Sequence, residues 1–477
     1  MWSSLSRRSG GLPLYKQVEA LIEGAIADGR LGGGERLPSE RRLCALLGVN
    51  RSTVIQALDD LADRGVLLRR RGSGTYVNGD KWGVQQYPVL NWRPPVLGAR
   101  PGGQAARIVD YQEEARRAGG GLCDLSGSDL PPDLAPDAAV PEGSWRELLR
   151  QELDEESSLV GLLEFREAVR DHLRECLGLE TDAEQILITS GARQALFLIT
   201  QCLLRPGDAV GMEAPSYFYS LPLFQAAGLR LFAIPTDREG VLPDELDDLI
   251  TRRGLRMVFL NPVFQNPTGH VMSEGRKRAV LRLCSARRVP IVEDDAYSLL
   301  AFSPQAGAAH GSPAFFQQPD AAPIKRFDAY GQTLYIGSVS SYMGRNVRAG
   351  WLVAPKGVVQ KLAEVRRQMD AGLSVLPQIL AGHFLRHDLA GRLGLLRDEL
   401  ARRASALRQT LDAILPAHAA CDPPIGGLHL YLRPHPDAGT GDDILEALLA
   451  HNILPAPGAE FGDAEGRFRL NFGHFRG

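Results

Sequence analysis

Paired cysteines are missing from this chain. Its six cysteines, Cys44, Cys123, Cys176, Cys202, Cys284 and Cys421, are scattered, and no two have Cys-x-x-Cys spacing. Neither a zinc ribbon nor a disulfide framework is suggested, and a reducing compartment is the default. Long hydrophobic runs are missing too. No stretch of about 18 apolar residues is present to span a bilayer. The opening MWSSLSRRSGG lacks the apolar run of a secretory leader. The expectation is a cytoplasmic protein with no membrane segment. Positive charge is not in excess: 54 basic and 57 acidic residues leave a formal net charge of −3. That argues against a chain coated in nucleic-acid-binding charge, but leaves room for one basic module. There is no internal repeat. At 477 residues, 44% hydrophobic and 23% charged, the chain is expected to form two or three units with ample core.

The stretch around which the first unit is organised is LPSERRLCALLGVNRSTVIQAL, Leu37 to Leu58. Two short helical patterns flank the turn Leu47-Gly48-Val49-Asn50. Ser39 is a suitable N-cap for the first, whose apolar positions Leu43, Leu46 and Leu47 recur at helical spacing, with Cys44 read as core. Asn50 is a suitable N-cap for the second, with Val54, Ala57, Leu58 and Leu61 facing inward and Gly65 at the C-terminal stop. VLLRRRGSGTYV then reads as a basic hairpin with Gly72-Ser73-Gly74 at its tip. Residues 12–30 precede all this as an amphipathic helix with the stripe Val18, Leu21, Ile22, Ala25 and Ile26. Helix, turn, helix and wing is an arrangement that places one helix in a DNA major groove. The helical pattern alone would also suit a small protein-binding domain. The wing and the run Arg69-Arg70-Arg71 favour DNA.

This first unit resembles the GntR-type winged helix-turn-helix, by "LPSER", "LGVNRSTV" and "GSGTYV" in order and spacing. The resemblance implies double-stranded DNA as partner, with Arg41, Asn50, Arg51, Ser52 and Thr53 as contacts and Gly72 and Ser73 at the minor groove. Ile55 departs from the pattern, since some members carry arginine there. The expected boundaries are 12–79 for this domain. Residues 80–120, with Pro94-Pro95, Gly102-Gly103 and Gly119-Gly120-Gly121, read as an extended linker with one helical turn around Gln112 to Arg117. Residues 121–477 form the remainder.

From Gly121 onward, short apolar runs alternate with longer amphipathic ones. Strands are expected at Gln185 to Thr189, Ala209 to Met212, Leu231 to Ile234, Met257 to Leu260, Pro290 to Val292, Leu334 to Ile336 and Gly350 to Val353. Helices are expected between several of them, including Ala192 to Leu203 and Glu274 to Ala286. The alternation predicts an α/β domain with a mostly parallel sheet. Val358 to Ile414 reads as helical, and Gly426 to Phe472 as a small α+β lobe.

Five words stand in the loops of this domain: NPVFQNPTG from Asn261, VEDDAY from Val292, YIGSVSSYMGRNVRAGW from Tyr335, GGLHLYL from Gly426 and FRLNF from Phe468. Together they resemble the fold-type I aminotransferases, which bind pyridoxal 5′-phosphate (PLP). With the GntR-type reader attached, nearly the whole chain resembles the MocR/GabR type of bacterial transcriptional regulator. The resemblance implies a homodimer. It also implies that Asp294 faces the cofactor's pyridine nitrogen and Tyr217 stacks on its ring. Asn266 and Tyr297 would reach its phenolic oxygen, Ser338 and Arg348 would hold its phosphate, and Arg469 would clamp a ligand carboxylate. Taken singly, Asp294 also suits a buried structural carboxylate, and Arg469 a structural ion pair.

One part departs from the resemblance. Family members carry Ser-x-Ser-Lys where this chain has Ser338-Val339-Ser340-Ser341, and a serine hydroxyl cannot form the carbon–nitrogen bond that the lysine makes with the cofactor aldehyde. Lys325 and Lys356 lie outside the motif. Further departures are Ala192 and Arg193 after Gly191, where Ser or Thr is usual, Glu156 near the position of a phosphate-contacting tyrosine, and Arg345-Asn346 in place of Pro-Gly. Three uses of the pocket follow: non-covalent binding of PLP or its amino-acid adduct, binding of another small anionic metabolite, or a purely structural dimerisation role. The expectation is a DNA-binding regulator that senses a small-molecule effector and has no aminotransferase turnover. The rival is a PLP-dependent aminotransferase with an accessory N-terminal domain.

Overall fold

The computed structural model describes residues 13–27, 30–31, 34–70, 73–78, 103–118, 121–137, 155–302, 321–370, 372–415, 419–435, 440–463 and 466–477. The chain divides into two compact units, Met1–Ala99 and Arg100–Gly477.

The first unit contains α1 (Leu14–Ala27), α2 (Glu40–Leu47), α3 (Arg51–Asp63) and the antiparallel pair β1 (Leu67–Arg70) and β2 (Gly74–Val77). Its core is the stripe the periodicity marked. Val18, Ile22 and Ala25 of α1, Leu43 and Leu47 of α2, and Val54, Ala57, Leu58 and Leu61 of α3 are all buried. Ser39 caps α2 by accepting a hydrogen bond from the Arg42 N–H, and Gly48 turns the chain in the left-handed region at φ 66°. Two expectations need correcting. Leu46 is 37% exposed, because one turn from Leu43 carries it past the face that meets α3. Asn50 occupies the N-cap position of α3, but its side chain makes no capping hydrogen bond. Cys44 is half-buried at the edge of the core.

The second unit is built on an eight-stranded sheet. After the two-residue β3 (Cys123–Asp124), its strands in chain order are β4 (Ile186–Thr189), β5 (Ala209–Ala214), β6 (Arg230–Asp237), β7 (Gly240–Val241), β8 (Met257–Leu260), β9 (Ile291–Asp295), β10 (Thr333–Ser338) and β11 (Gly350–Val353). They lie side by side as β4-β11-β10-β9-β8-β5-β6-β7. Neighbours from β10 to β6 are parallel, β11 runs against both β10 and β4, and β7 runs against β6. Every residue of β4, β8, β9 and β11 is buried. A strand buried on both sides needs a layer of helices on each face, which is why β4, β8 and β11 read as largely hydrophobic runs, while β9 carries buried acids at its end. Helices Ala192–Cys202 and Lys356–Asp370 supply one apolar cluster, and Pro243–Arg253 and Glu274–Arg287 another. The expected strands are all present, most with one to three residues added at an end.

A smaller antiparallel sheet follows. It comprises β13 (His429–Pro434) and β16 (Phe468–Asn471), flanked by β12 (Ala419–Ala420) and β15 (Ala456–Pro457); between β13 and β15 in sequence lie the helix Gly441–Ala450 and β14 (Ile453–Leu454), which pairs in parallel with β3. The linker reading is corrected for residues 103–118. They form the helix α4 (Gly103–Ala118), which belongs to the second unit. Arg107 pairs with Asp442 and Glu446, Gln104 donates to Asp442, and the Tyr111 hydroxyl donates to the Leu449 carbonyl. The helix is held mostly by polar contacts from about 340 residues away in sequence, with Ile108 its main buried anchor. Apolar periodicity could not reveal it.

Gly337 in β10 lies against the indole of Trp351, and a methyl group there would sit 2.6 Å from Cε2. Gly337→Ala should therefore cost roughly 1–3 kcal/mol through overpacking. A lower midpoint in chemical denaturation of the full-length protein is the expected result, and an unchanged midpoint would contradict it.

Candidate functional site

The recognition surface of the first unit starts at the N-terminus of α3. Asn50, Arg51 and Ser52 are exposed, Thr53 is half-buried, and Arg41 is exposed on the first turn of α2. Arg51 reaches back to Glu40 at 3.2 Å while its side chain stays 76% exposed. Glu40 also receives Arg69 of the wing at 2.8 Å, and Arg69 pairs in addition with Asp59. Such exposed pairs are worth about 1 kcal/mol or less, so Glu40 can orient Arg51 and still release it to a base edge. Ser73 at the wing tip shares a hydrogen bond with the Tyr76 hydroxyl at 2.7 Å. Gly72 lies outside the described residues.

In the second unit the chemistry gathers at one edge of the large sheet. β4, β5, β8, β9 and β10 all end on that side, since β4 runs in the same direction as β10 through two reversals at β11. Loops leaving parallel strands at a common edge are where α/β sheets bind ligands. These loops carry Gly191, Tyr217, Asn261 to Asn266, Asp294 to Tyr297, and Ser338 to Arg348.

Asp294, 4% exposed, sits near the end of β9. Burial, with a smaller push from the Asp295 charge, raises its carboxyl to about 7. The Tyr217 hydroxyl donates to one carboxylate oxygen, and the other has no partner among the described residues. Tyr217 is thus drawn onto Asp294 by its hydroxyl. Asn266 is buried. Its N–H donates to the Asn261 side chain at 2.7 Å and its Oδ1 accepts from Arg469 at 2.9 Å. Arg469 also donates to the Ser126 carbonyl and lies over the Phe461 ring at 4.8 Å, and its Nε has no partner among the described residues. The Tyr297 hydroxyl donates to the Ser128 carbonyl at 3.3 Å, and burial pushes it well above the usual phenol range.

Ser338 donates to the Ala349 carbonyl at 3.1 Å and accepts from the Ser340 N–H at 3.2 Å. Ser341 is buried on the single turn Ser340–Met343 that follows. Arg348, at φ 51°, lies against Gly191 so closely that a Cβ there would meet its Nη2 at 2.8 Å. Gly191 itself is at φ 110°, a conformation suited to glycine. Burial and then the nearby Arg193 lower Arg348 below its ordinary value. Two guanidiniums converge here on the N-terminus of the helix Ala192–Cys202, whose N-cap makes no side-chain hydrogen bond. A positive helix end and two nearby cations suit an anion.

The sequence reading did not single out Asn261, Glu213 or His429. Asn261 donates to the Asp294 carbonyl at 2.7 Å, and its N–H donates to buried Glu213 at 2.7 Å. It ties β5, β8 and β9 together beneath the cleft. The only sequence signal was its place at the head of NPVFQNPTG. Phe264 of that word explains the Gly426-Gly427 pair, because a Cβ on Gly427 would lie 2.8 Å from the Phe264 Cβ.

These residues fit PLP at two ends. Asp294, with an orphaned oxygen, suits a pyridine nitrogen, and the Arg348–Arg193 cradle suits its phosphate. Of the chain's six lysines, Lys81 lies outside the described residues and Lys16 is in α1. Lys277 donates to the Ala322 carbonyl, Lys325 to Asp328, Lys356 to Glu184 and Lys361 to Glu364. Among the described residues no group of three or more His, Cys, Asp or Glu is placed to hold a metal ion, and no helix is long and apolar enough to cross a membrane.

Comparison with known proteins agrees with the two-unit division. Residues 123–476 match the family of class I and II aminotransferases, and residues 14–77 match the bacterial regulatory proteins of the gntR family. An uncharacterized HTH-type transcriptional regulator of Bacillus subtilis, YisV, is 32% identical over 98% of this chain and 93% of its own length. The HTH-type pyridoxine biosynthesis transcriptional regulator PdxR of Corynebacterium glutamicum is 29% identical over 87% of this chain and 82% of its own length. Among solved structures, the α-aminoadipate aminotransferase LysN of Thermus thermophilus, complexed with N-(5′-phosphopyridoxyl)-L-leucine, matches with a TM-score of 0.63. It is 25% identical, over 80% of this chain and 92% of that one. The second unit thus has the fold-type I aminotransferase fold, and the first is a GntR-type helix-turn-helix.

The raised Asp294 carboxyl carries a stability signature. Between about pH 4 and 7 the folded state holds a proton that the unfolded chain has released, so stability falls as pH rises through that window. Denaturation midpoints of the wild type should drop relative to Asp294→Asn between pH 4.5 and 7.5, and parallel curves would count against a buried carboxyl.

Proposed function

From the premise that the chain belongs to the class I and II aminotransferase family and carries a gntR-family module, we propose that it is a DNA-binding transcriptional regulator. Its aminotransferase-like domain senses PLP or an amino-acid-like metabolite without a covalent bond to the cofactor. Ser341 carries this reading. It stands at the position where the family's Ser-x-Ser-Lys word has its lysine. Four of the five described lysines are held by partners in other parts of the second unit, and the fifth is in the winged module. When bound, PLP would supply an electron sink through its pyridine ring. Asp294 would hold the ring nitrogen, Arg348, Arg193 and Ser338 its phosphate, and Arg469 the carboxylate of an amino-acid ligand. Without an amine at position 341, the site lacks the family group that moves a proton at the ligand's α-carbon. The rival aminotransferase reading lacks its central group.

Arg51, with Arg41, Asn50, Ser52, Thr53 and the wing residues Gly72 and Ser73, would read an operator. The resemblance implies a homodimer, and a DNA reader works in the compartment that holds the DNA, here the cytoplasm. Regulation requires a ligand that binds the DNA-competent and DNA-incompetent states unequally.

Two experiments test the reading. Arg51→Ala should weaken operator binding by about 1–3 kcal/mol if the arginine makes a bidentate base contact; unchanged affinity in a mobility-shift titration would remove it from the reading set. Borohydride treatment of wild-type protein mixed with PLP should fix no cofactor at position 341, whereas Ser341→Lys should gain such a label. Labelling of the wild type at that position, or amino-group exchange between an amino acid and a keto acid, would overturn the regulator-only reading.

A further inference from the structure

Beside the candidate site, three buried side chains have polar atoms without a hydrogen-bond partner among the described residues: one oxygen of Asp294, Nε of Arg469, and both ring nitrogens of His429. Such groups are rare in folded proteins, because each loses its hydration without replacement. Asp294 and Arg469 already have roles in the reading above. His429 does not.

His429 is 2% exposed and lies on β13, paired with Asn471, while Tyr431 two residues on is paired with Arg469. Side chains two apart on a strand share a face, and so do directly paired residues across an antiparallel ladder. His429 and Arg469 therefore project from the same face of the small sheet as diagonal neighbours. On its other side His429 meets Tyr297 edge to face, with ring centroids 5.4 Å apart. Burial, reinforced by the Arg469 charge, holds the imidazole neutral, far below its ordinary titration range. A neutral imidazole has one N–H donor and one acceptor.

Two of the three nitrogens of Arg469 already donate, to Asn266 and to the Ser126 carbonyl. Nε is the one without a partner among the described residues. A carboxylate arriving at Nε needs a second donor to satisfy its other oxygen, and the nearby imidazole N–H is an uncommitted one.

We propose that His429 is a ligand-binding residue which, together with Arg469 Nε, holds the carboxylate of a small amino-acid-like ligand. This rests on the reading of the cleft as a site for a PLP-like ring and its amino-acid adduct. It adds a donor that the five sequence words did not assign, and it makes carboxylate recognition depend on an arginine and a histidine together.

Calorimetric titration of the full-length protein tests it with two stable probes. N-(5′-phosphopyridoxyl)-L-alanine carries the carboxylate, and pyridoxamine 5′-phosphate lacks it. His429→Phe keeps the ring and removes both polar atoms. It should weaken binding of the carboxylate probe about tenfold or more, as expected for losing a hydrogen bond to a charged group, and leave pyridoxamine 5′-phosphate unchanged. His429→Gln, which keeps a neutral donor, should stay closer to wild type for both probes. Equal effects of His429→Phe on the two probes, or none on either, would remove His429 from the site while leaving the ring reading intact. A wild type that binds neither probe would instead bring down the ring reading, and this inference with it.

Discussion

Burying a carboxylate away from water is expensive unless something replaces its hydration, and the cleft of the larger unit is arranged around that constraint at Asp294. β9 delivers three buried acids in a row, Glu293, Asp294 and Asp295, and the protein treats the last two differently. Asp295 accepts from the Ser298 N–H at 3.0 Å and from the Tyr335 hydroxyl at 2.9 Å. Among the described residues Asp294 receives only the Tyr217 hydroxyl, and its other oxygen has no partner. Asn261 fixes the backbone beneath it through the Asp294 carbonyl, and is itself fixed by Glu213. A carboxylate held rigidly but left half-satisfied is a binding group waiting for a donor. The same half-satisfied state recurs at Arg469, whose Nε has no partner among the described residues.

The two charged ends of this cleft are kept apart by topology. Asp294 belongs to β9, whereas the cationic cradle of Arg348 and Arg193 forms where the β10–β11 loop meets the start of the helix after β4. A ligand that spans them must carry a positive or hydrogen-bond-donating atom at one end and an anion at the other. That polarity is the chemical content of the site, and it persists whether or not position 341 carries an amine. A site can keep its affinity while losing its reaction, because binding depends on many distributed contacts and the chemistry on one. In the winged unit, Glu40 holds Arg51 and Arg69 in an acidic embrace that exposed ion pairs make weak. A module in a chain of net charge −3 can thereby present cationic groups without being uniformly basic.

How much of this was legible beforehand varied with the range of the interactions. The core of the winged unit was read correctly at Val54, Ala57, Leu58 and Leu61, because a helix repeats its buried face every three or four residues whatever it packs against. Leu46 was misread because it sits at the margin of that face, where the neighbouring helix alone decides exposure. The helix Gly103–Ala118 was missed because its fastening to Asp442, Glu446 and Leu449 is polar and distant in sequence. The candidate residues Asp294, Asn266 and Arg469 stood inside recognisable words, whereas His429 stood inside one without a role attached to it.

The sequence by itself determined the order of modules, the strands buried on both sides, the helix-turn-helix and the serine at position 341, since each follows from local periodicity or from residue identity. Only the tertiary structure decided that the Tyr217 hydroxyl turns to Asp294, that Arg193 joins Arg348, and that His429 and Arg469 share a face with unspent hydrogen-bonding capacity. The physical reason is that unsatisfied donors and acceptors belong to no single segment. They are what remains after every strand, helix and loop has taken the partners within its reach.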